Sequence, residues 1–409
     1  MNIALFLDCY TPMKNGVITS ALQLKEGLEK KGHHVVLVAV KTKGYVNNDP
    51  NVLLFPKLSF DFTSKQGFGL GLVNFMKLIK FLKKHKIKLI HTHTEFGLGL
   101  AGKYAAKKLK IPRIATSHTM WEEYGNYSSL LKSKTLSRNF LKFYYKGVSA
   151  IVTPSIKSKN FNDKVVPEIT KEIIPNGIDF EKIKNLKVNI KQIDELKKTN
   201  EIDKNDKILL FVGRLGAEKR VVELLNSIVP LLKKDKSIKM FFVGDGPESE
   251  KLWSIAKENH LRKQIIFTGF VNWEKLPKFY FMADIFLTAS LSEVHPMTVI
   301  EANMYGLPII ARKDESFSGL VENNENGYLL DSDEKFAQSI EELLSDEKKL
   351  KRFGKCSLKI GEKFTLDKHI ENIEVLYKDS IFKYKLKVFS KNDKVTEYLR
   401  KKLVKGIPL

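Results

Sequence analysis

The run Ala283-Asp284-Ile285-Phe286-Leu287-Thr288-Ala289, continued by Ser290-Leu291-Ser292-Glu293-Val294-His295-Pro296-Met297-Thr298-Val299-Ile300-Glu301-Ala302, reads as a buried strand, a loop and then a helix. Pro296 suits the first turn of that helix, because the N–H it lacks would be unpaired there anyway. Glu293 and Glu301 therefore sit on different elements, the first in the loop at the strand's C-terminal end and the second more than a turn into the helix. Open α/β sheets bind ligands at that end of their strands, and the amides of a helix N-terminus favour anions such as phosphate. One carboxylate for sugar hydroxyls, another for a second polyol and a diphosphate held between them fit a nucleotide sugar. A solvated loop glutamate beside an ordinary first-turn acid fits the spacing equally well.

The same strand-then-helix grammar runs through the chain. Strand-like runs in the first half are Ile3 to Cys9, His34 to Val40, Val52 to Phe55, Lys88 to His93, Arg113 to Ser117 and Ala150 to Pro154; in the second half they are Lys207 to Gly213, Lys239 to Gly244, Gln264 to Gly269, Asp284 to Ala289, Pro308 to Ala311 and Gly327 to Leu330. Alternation of this kind is the signature of a parallel sheet wrapped by helices. With 409 residues the chain exceeds one ordinary core. The expectation is an α/β protein of two doubly wound, Rossmann-like domains facing each other across a cleft, residues 1–170 and 171–365, with C-terminal helices in 366–409 returning to the N-terminal domain. Pro, Gly and Asn interrupt the pattern between Val166-Pro167 and Pro175-Asn176-Gly177, which marks the junction. The only cysteines are Cys9 and Cys356, a usage that points to a reducing cytoplasm. Met1 to Asp8 reads as a first strand and not as a signal peptide, and no apolar run approaches the roughly 20 residues that span a bilayer.

Net charge is +23, and its placement is uneven. Residues 60–150 hold 17 Lys or Arg against 4 Asp or Glu, residues 380–409 hold 9 against 2, and the remaining 288 residues carry only +3. A uniform lysine bias would not leave that pattern, so the surplus points to an anionic partner. Leu72 to Lys86 interleaves Phe75, Met76, Ile79 and Leu82 with Lys77, Lys80, Lys83 and Lys84; Leu130 to Lys146 interleaves Phe140, Phe143, Tyr144 and Tyr145 with Lys132, Lys134, Arg138 and Lys142. Such segments suit an anionic membrane surface, and amphipathic helices packed on a sheet with a solvated lysine face explain part of the same pattern.

Other strand ends carry chemistry too. Leu210-Phe211-Val212-Gly213-Arg214-Leu215-Gly216-Ala217-Glu218-Lys219 places a guanidinium and an ammonium beyond a strand, where together they neutralise a diphosphate without metal. Asn15-Gly16 follows the first strand, and glycine there lets backbone amides approach a phosphate or sugar; a plain turn is the other reading. Val243-Gly244-Asp245-Gly246-Pro247 reads as scaffold. His118 ends the strand from Arg113. His91 and His93 share a strand face without an evident third metal ligand, and Asp331-Ser332-Asp333 reads as a turn and helix N-cap in preference to a metal-binding carboxylate pair.

In this order the elements resemble the retaining glycosyltransferases of family 4, with their two-domain B-type fold, from Asn2 to about Leu330. The resemblance implies that Glu301 binds ribose hydroxyls, Glu293 the transferred sugar, Arg214 and Lys219 the diphosphate, and His118 the sugar and its developing positive charge, while Gly16 matches the glycine loop over the donor phosphate. Two departures stand out: Arg220 replaces a usual glycine, and His295-Pro296 replaces the usual aromatic-glycine pair. Pro296 has no amide to offer, so the contacts of the helix N-terminus fall to Met297 and Thr298. His118-Thr119-Met120-Trp121-Glu122-Glu123-Tyr124, with Tyr127 beyond, resembles the segment of diacylglycerol glucosyltransferases and makes Trp121, Glu122, Glu123, Tyr124 and Tyr127 the acceptor residues, with Lys77, Lys80, Lys83, Lys84, Arg138 and Lys142 on the membrane. The implied reaction moves glucose from UDP-glucose to the 3-hydroxyl of diacylglycerol with retention, with no metal or other cofactor, at the cytoplasmic face of the cell membrane. A family 4 hexosyltransferase with a soluble or polysaccharide acceptor, or one carrying galactose, remains the nearest alternative; a nucleotide-sugar epimerase and a nucleic-acid-binding protein are more distant, and nothing in the chain resembles a nucleic-acid module.

Overall fold

A computed structural model describes residues 1–12, 16–42, 45–58, 70–119, 133–185 and 190–389. The chain divides into two compact units, residues 1–175 with 369–409 and residues 176–368. Unit 1 is built on a seven-stranded parallel sheet: β1 Asn2–Phe6, β2 His34–Val40, β3 Val52–Phe55, then, after the small antiparallel pair β4 Lys57–Leu58 and β5 Leu70–Gly71, β6 Leu89–Thr92, β7 Arg113–Thr116, β8 Ala150–Thr153 and β9 Lys171–Ile173. The spatial order is β3-β2-β1-β6-β7-β8-β9. Strands such as Val35 to Val40 are buried residue after residue because helices cover both faces of a parallel sheet.

The apolar pattern overruns the ladder at the C-terminal end of β1. β1 stops at Phe6, and the pattern continues to Cys9 because Leu7, Asp8 and Cys9 stay buried after the strand has ended. The polar edge strand β9 has no apolar run and escapes the sequence pattern altogether.

Unit 2 repeats the architecture with six parallel strands, β10 Lys207–Val212, β11 Ile238–Val243, β12 Ile265–Phe267, β13 Ile285–Thr288, β14 Ile309–Arg312 and β15 Gly327–Leu330, in the order β12-β11-β10-β13-β14-β15. Its strands feed two cores, one on each face: Leu209, Phe211, Met240 and Phe242 point to one, Ile208, Leu210, Val212 and Phe241 to the other. That alternation is the period-two pleat with both faces dry.

The chain leaves unit 2 within the helix Leu366–Phe389, and from His369 onward that helix belongs to unit 1. Ile370, Ile373 and Tyr377 are its buried face. Gly27, in the helix Gly16–Lys30, lies so close that a Cβ there would meet Ile370 at 2.6 Å. The Tyr377 hydroxyl lies 2.6 Å from His91 Nδ1, and His369 Nδ1 donates to the Pro175 carbonyl at 2.7 Å.

Asp8 organises the C-terminal ends of the unit 1 strands. Its carboxylate is fully buried, accepts from the Thr94 hydroxyl at 2.6 Å and from the amides of Leu98 at 2.7 Å and Gly99 at 3.4 Å, and so caps the helix Gly97–Leu109 from the loop after β1. Burial outweighs those donors and pushes its pKa up to about 6. A carboxyl that holds its proton more tightly when folded stabilises the fold below its unfolded pKa, and that contribution is lost as pH rises through about 6. Asp8→Ala is therefore expected to cost more at pH 4.5 than at pH 7, by roughly 2 kcal/mol in urea unfolding. A penalty independent of pH, or larger at pH 7, contradicts the buried, proton-holding carboxyl.

Candidate functional site

Strand order in unit 2 reverses between β10 and β13, and the loops leaving their C-terminal ends flank the point where an open sheet admits a ligand. Gly213 ends β10 with its amide on the Val243 carbonyl at 3.0 Å. Gly244 answers from β11 at φ 145°, and a Cβ there would lie 1.9 Å from the Gly213 carbonyl oxygen. Only glycine permits that backbone approach, which fixes the direction in which Arg214 to Lys219 leaves the sheet.

The loop then meets the one after β13. Ser292 donates its hydroxyl to the Glu218 carbonyl at 2.9 Å, and Lys219 Nζ sits 2.5 Å from Glu293 Oε1. Arg214 faces Glu218 at 3.5 Å. Arg214, Lys219 and Glu293 are thus brought into one loop cluster, all partly exposed and each cation facing a carboxylate. Pro296, expected in the first helical turn, is instead the N-cap, with φ −73° and ψ 106°. The helix Met297–Met304 starts one residue later, so Met297 and Thr298 are its first two residues, whose amides have no acceptor within the helix.

Glu301 is held differently. It is 8% exposed, and its two oxygens accept from Trp273 Nε1–H at 3.1 Å and from the Tyr280 hydroxyl at 2.6 Å. No cation pairs with it among the described residues, and burial raises its pKa despite both donors. Each oxygen keeps a further lone pair, so a carboxylate fixed in this way can accept from two vicinal hydroxyls. The strand-end motifs of the sequence do not single out Trp273 and Tyr280. The signal was present, since an indole and a phenol near a strand end bring polar tips that need partners when buried.

Arg220, the residue in place of a glycine, adopts the left-handed conformation, φ 53° and ψ 38°, that glycine takes freely. Its guanidinium pairs with Asp333, which also accepts from Arg312 Nη1 at 2.8 Å. Asp331 faces Lys313 at 3.5 Å and Lys335 at 3.7 Å. The Asp331–Asp333 carboxylates are therefore partners of cations. The expected capping role is corrected as well: the helix Lys335–Ser345 takes Glu334 as its N-cap residue, with no side-chain cap bond, because Asp333 is turned toward the two arginines.

Within unit 1 the order reverses between β1 and β6, and His93 and Thr94 follow β6 there. His118 lies just beyond β7; its Nε2 is 3.1 Å from His93 Nδ1, and burial pushes its pKa down to about 3, so the imidazole is neutral. His91 and His93 do share a face, with ring centres 4.2 Å apart, but no group of three or more His, Cys, Asp or Glu side chains suited to a metal occurs among the described residues. Gly16 opens the helix Gly16–Lys30 in ordinary backbone geometry and not in the left-handed region, with open space where a Cβ would stand.

Lys77, Lys80, Lys83 and Lys84 are all exposed on the helix Phe75–Lys84, whose Leu78 and Leu82 are buried; Met76 and Phe75 stand out beside them at 83% and 38% exposure. On the helix Lys134–Tyr145, Lys142 and Phe143 are exposed and Arg138 is partly so. Tyr144 and Tyr145, read as surface aromatics, are buried at 1% and belong to the core, because they lie on the face turned to the sheet. Trp121, Glu122, Glu123, Tyr124 and Tyr127 lie outside the described residues. No described helix is long and apolar enough to cross a membrane.

The model of the glycosyl transferases group 1 matches residues 192–359, and that of glycosyltransferase family 4 matches residues 14–182. The chain is 30% identical over 405 residues to an alpha-monoglucosyldiacylglycerol synthase of Acholeplasma laidlawii, covering 96% of this chain and 100% of that one. It is 31% identical over 350 residues to the alpha-monoglucosyldiacylglycerol synthase of Streptococcus pneumoniae, covering 84% and 78%. Among solved structures, Anabaena HepE in complex with UDP-glucose superposes with a TM-score of 0.72 at 17% identity, over 93% of this chain and 100% of that one. The two parallel sheets and these likenesses show the B-type fold of glycosyltransferases.

The Arg220 geometry carries a stability test. A non-glycine residue in the left-handed region costs roughly 1 kcal/mol, and a partly exposed ion pair returns about as much, so Arg220→Gly is expected to change unfolding free energy by less than about 1 kcal/mol. Asp333→Ala strips the shared partner from two guanidiniums whose Nε atoms are buried without an acceptor among the described residues. It is expected to cost about 2 kcal/mol in the same urea titration. Equal losses from the two substitutions would sink this account.

Proposed function

The chain belongs to glycosyltransferase family 4, and from that premise we propose that it moves glucose from UDP-glucose to the 3-hydroxyl of diacylglycerol, with retention of configuration, no metal ion, and the protein bound peripherally at the cytoplasmic face of a membrane. The observation that carries the donor side is the meeting of Lys219 and Glu293 beside the reversal of strand order in unit 2. Lys219 and Arg214 take the diphosphate, joined by the amides of Met297 and Thr298, Gly16 leaves room for phosphate, Glu293 takes hydroxyls of the sugar, and Glu301 takes the two hydroxyls of the ribose. The acceptor side rests on the names of the two relatives, on the segment of Trp121, Glu122, Glu123, Tyr124 and Tyr127, and on the exposed lysine and methionine face of the helix Phe75–Lys84.

In the proposed reaction the bond between the glucose anomeric carbon and the β-phosphate oxygen breaks, and its electron pair stays on the diphosphate. Arg214 and Lys219 stabilise that charge as it develops. The glycerol oxygen attacks the anomeric carbon from the same face, and its proton passes to the departing diphosphate. His118 is assigned to the sugar, and its neutrality suits this role, since an imidazolium would repel the positive charge growing on the ring. The pairing of Asp333 with Arg220 and Arg312, and the facing of Asp331 by Lys313 and Lys335, support the metal-free reading.

The ion pair gives the two glutamates opposite signs in binding. Glu293→Gln releases Lys219 for the diphosphate, so free UDP is expected to bind severalfold more tightly while the extra affinity of UDP-glucose over UDP is lost. Glu301→Gln is expected to weaken UDP and UDP-glucose alike, on the order of tenfold. Calorimetry with both ligands separates the cases, and weaker UDP binding in both variants contradicts the assignment.

The whole reading is tested by mass spectrometry of lipid products after incubation with UDP-glucose and vesicles of diacylglycerol and anionic phospholipid in excess EDTA. A monoglucosyl lipid is expected. Reversal of Lys77, Lys80 and Lys84 to glutamate is expected to release the protein from those vesicles, as is salt that shortens the screening length below about 10 Å, while UDP binding persists. A product only with manganese, only with soluble acceptors, or vesicle binding indifferent to lipid charge overturns the corresponding part.

A further inference from the structure

His93 stands at the C-terminal end of β6, is 2% exposed, and has no part of its own in the proposed reaction. Its Nδ1 lies 3.1 Å from Nε2 of His118, and the two rings, 22° from coplanar with centres 5.4 Å apart, meet edge to edge. One ring must donate and the other accept, because each is held neutral by burial. The other nitrogen of His93 decides which. Nε2 is buried and has no hydrogen-bond partner among the described residues. A proton there would leave an orphaned N–H, whereas a bare lone pair is the lesser loss. His93 therefore carries its proton on Nδ1, donates it to His118 Nε2, and leaves His118 with its own proton on Nδ1.

We propose that His93 is a positioning residue that fixes the tautomer and ring orientation of His118, so that His118 presents an Nδ1–H donor to the substrate. The surroundings hold this arrangement in place. His91 packs on the face of His93 and is itself fixed at both nitrogens, by the Tyr377 hydroxyl at 2.6 Å and the Thr116 hydroxyl at 2.7 Å. Behind His118, Ser117 is anchored through its amide to Val152, its carbonyl to Ser158 and its hydroxyl to Asn162. The consequence for catalysis rests on the assignment of His118 to the sugar; the tautomer itself does not.

The test reads the imidazole nitrogens directly, by long-range proton–nitrogen correlation spectra of the full chain labelled with heavy nitrogen, with His118 assigned from His118→Gln. In the unsubstituted protein His118 is expected to be protonated on Nδ1. In His93→Phe the donor is gone, and the proton is expected to move to Nε2, as in free histidine. In His93→Asn the side-chain amide N–H stands close to the position of the lost Nδ1–H and is expected to restore the Nδ1 tautomer. His93→Gln, which places its amide elsewhere and keeps a polar group, serves if the phenylalanine variant does not fold. With UDP-glucose and diacylglycerol, the Phe or Gln variant is expected to lose kcat on the order of tenfold with little change in the donor's KM, and the Asn variant to regain it. His118 protonated on Nε2 in the unsubstituted protein, or one tautomer in every variant, overturns the proposal. Absence of transfer in the unsubstituted protein overturns the functional reading instead and leaves the tautomer result standing.

Discussion

A parallel strand must be covered on both faces, and a sheet of such strands wound outward in both directions has one place where neighbouring connections leave to opposite sides. Each unit has a single such reversal, between β1 and β6 and between β10 and β13. There the two loops diverge and leave polar backbone and side chains open at the ends of two buried strands. In unit 2 these are the loops of Arg214 to Lys219 and of Ser290 to Glu293; in unit 1 they begin at Leu7 and at His93. The chemistry is located by topology before any side chain is considered.

What the side chains add in unit 2 is a division between two carboxylates. Glu293 is partly exposed and paired with an ammonium, an interaction of modest strength that a ligand bearing both phosphate and hydroxyls can replace group by group. Glu301 is buried and held by an indole N–H and a phenol O–H, neutral donors that orient the carboxylate without cancelling its charge. Burial raises its pKa for that reason. The first glutamate is available for exchange, and the second is fixed in advance, which is the difference expected between a group that meets the reacting sugar and one that anchors a nucleoside.

The fold was legible because apolar runs of four to seven residues, each followed by a turn and a helical pattern, occur throughout both halves of the chain. Pattern and structure part where burial and pairing diverge: Leu7 to Cys9 are buried without being strand, and β9 is strand without being apolar. The loop cluster of Arg214, Lys219 and Glu293 was readable from strand ends. Its supports were not, since the use of Asp333 by Arg220 and Arg312 joins residues 113 and 21 positions apart, and the Trp273 and Tyr280 bonds to Glu301 span 28 and 21. Nor does the one-dimensional pattern tell Phe143, exposed at 46%, from Tyr144, buried at 1%, when both are aromatic and adjacent.

The two units handle charge in opposite ways. Unit 2 gathers cations beside its reversal point and pairs each with a carboxylate. Unit 1 gathers His91, His93, His118 and His369 and keeps all four neutral, because burial disfavours the charged form and protonation of one ring would disfavour the next. Cations suit the leaving diphosphate of the proposed reaction, and neutral imidazoles spare its sugar the repulsion of a nearby positive charge. Such a cluster acts in that way only if each proton has a defined nitrogen, and Nε2 of His93, buried without a hydrogen-bond partner among the described residues, makes that definition local.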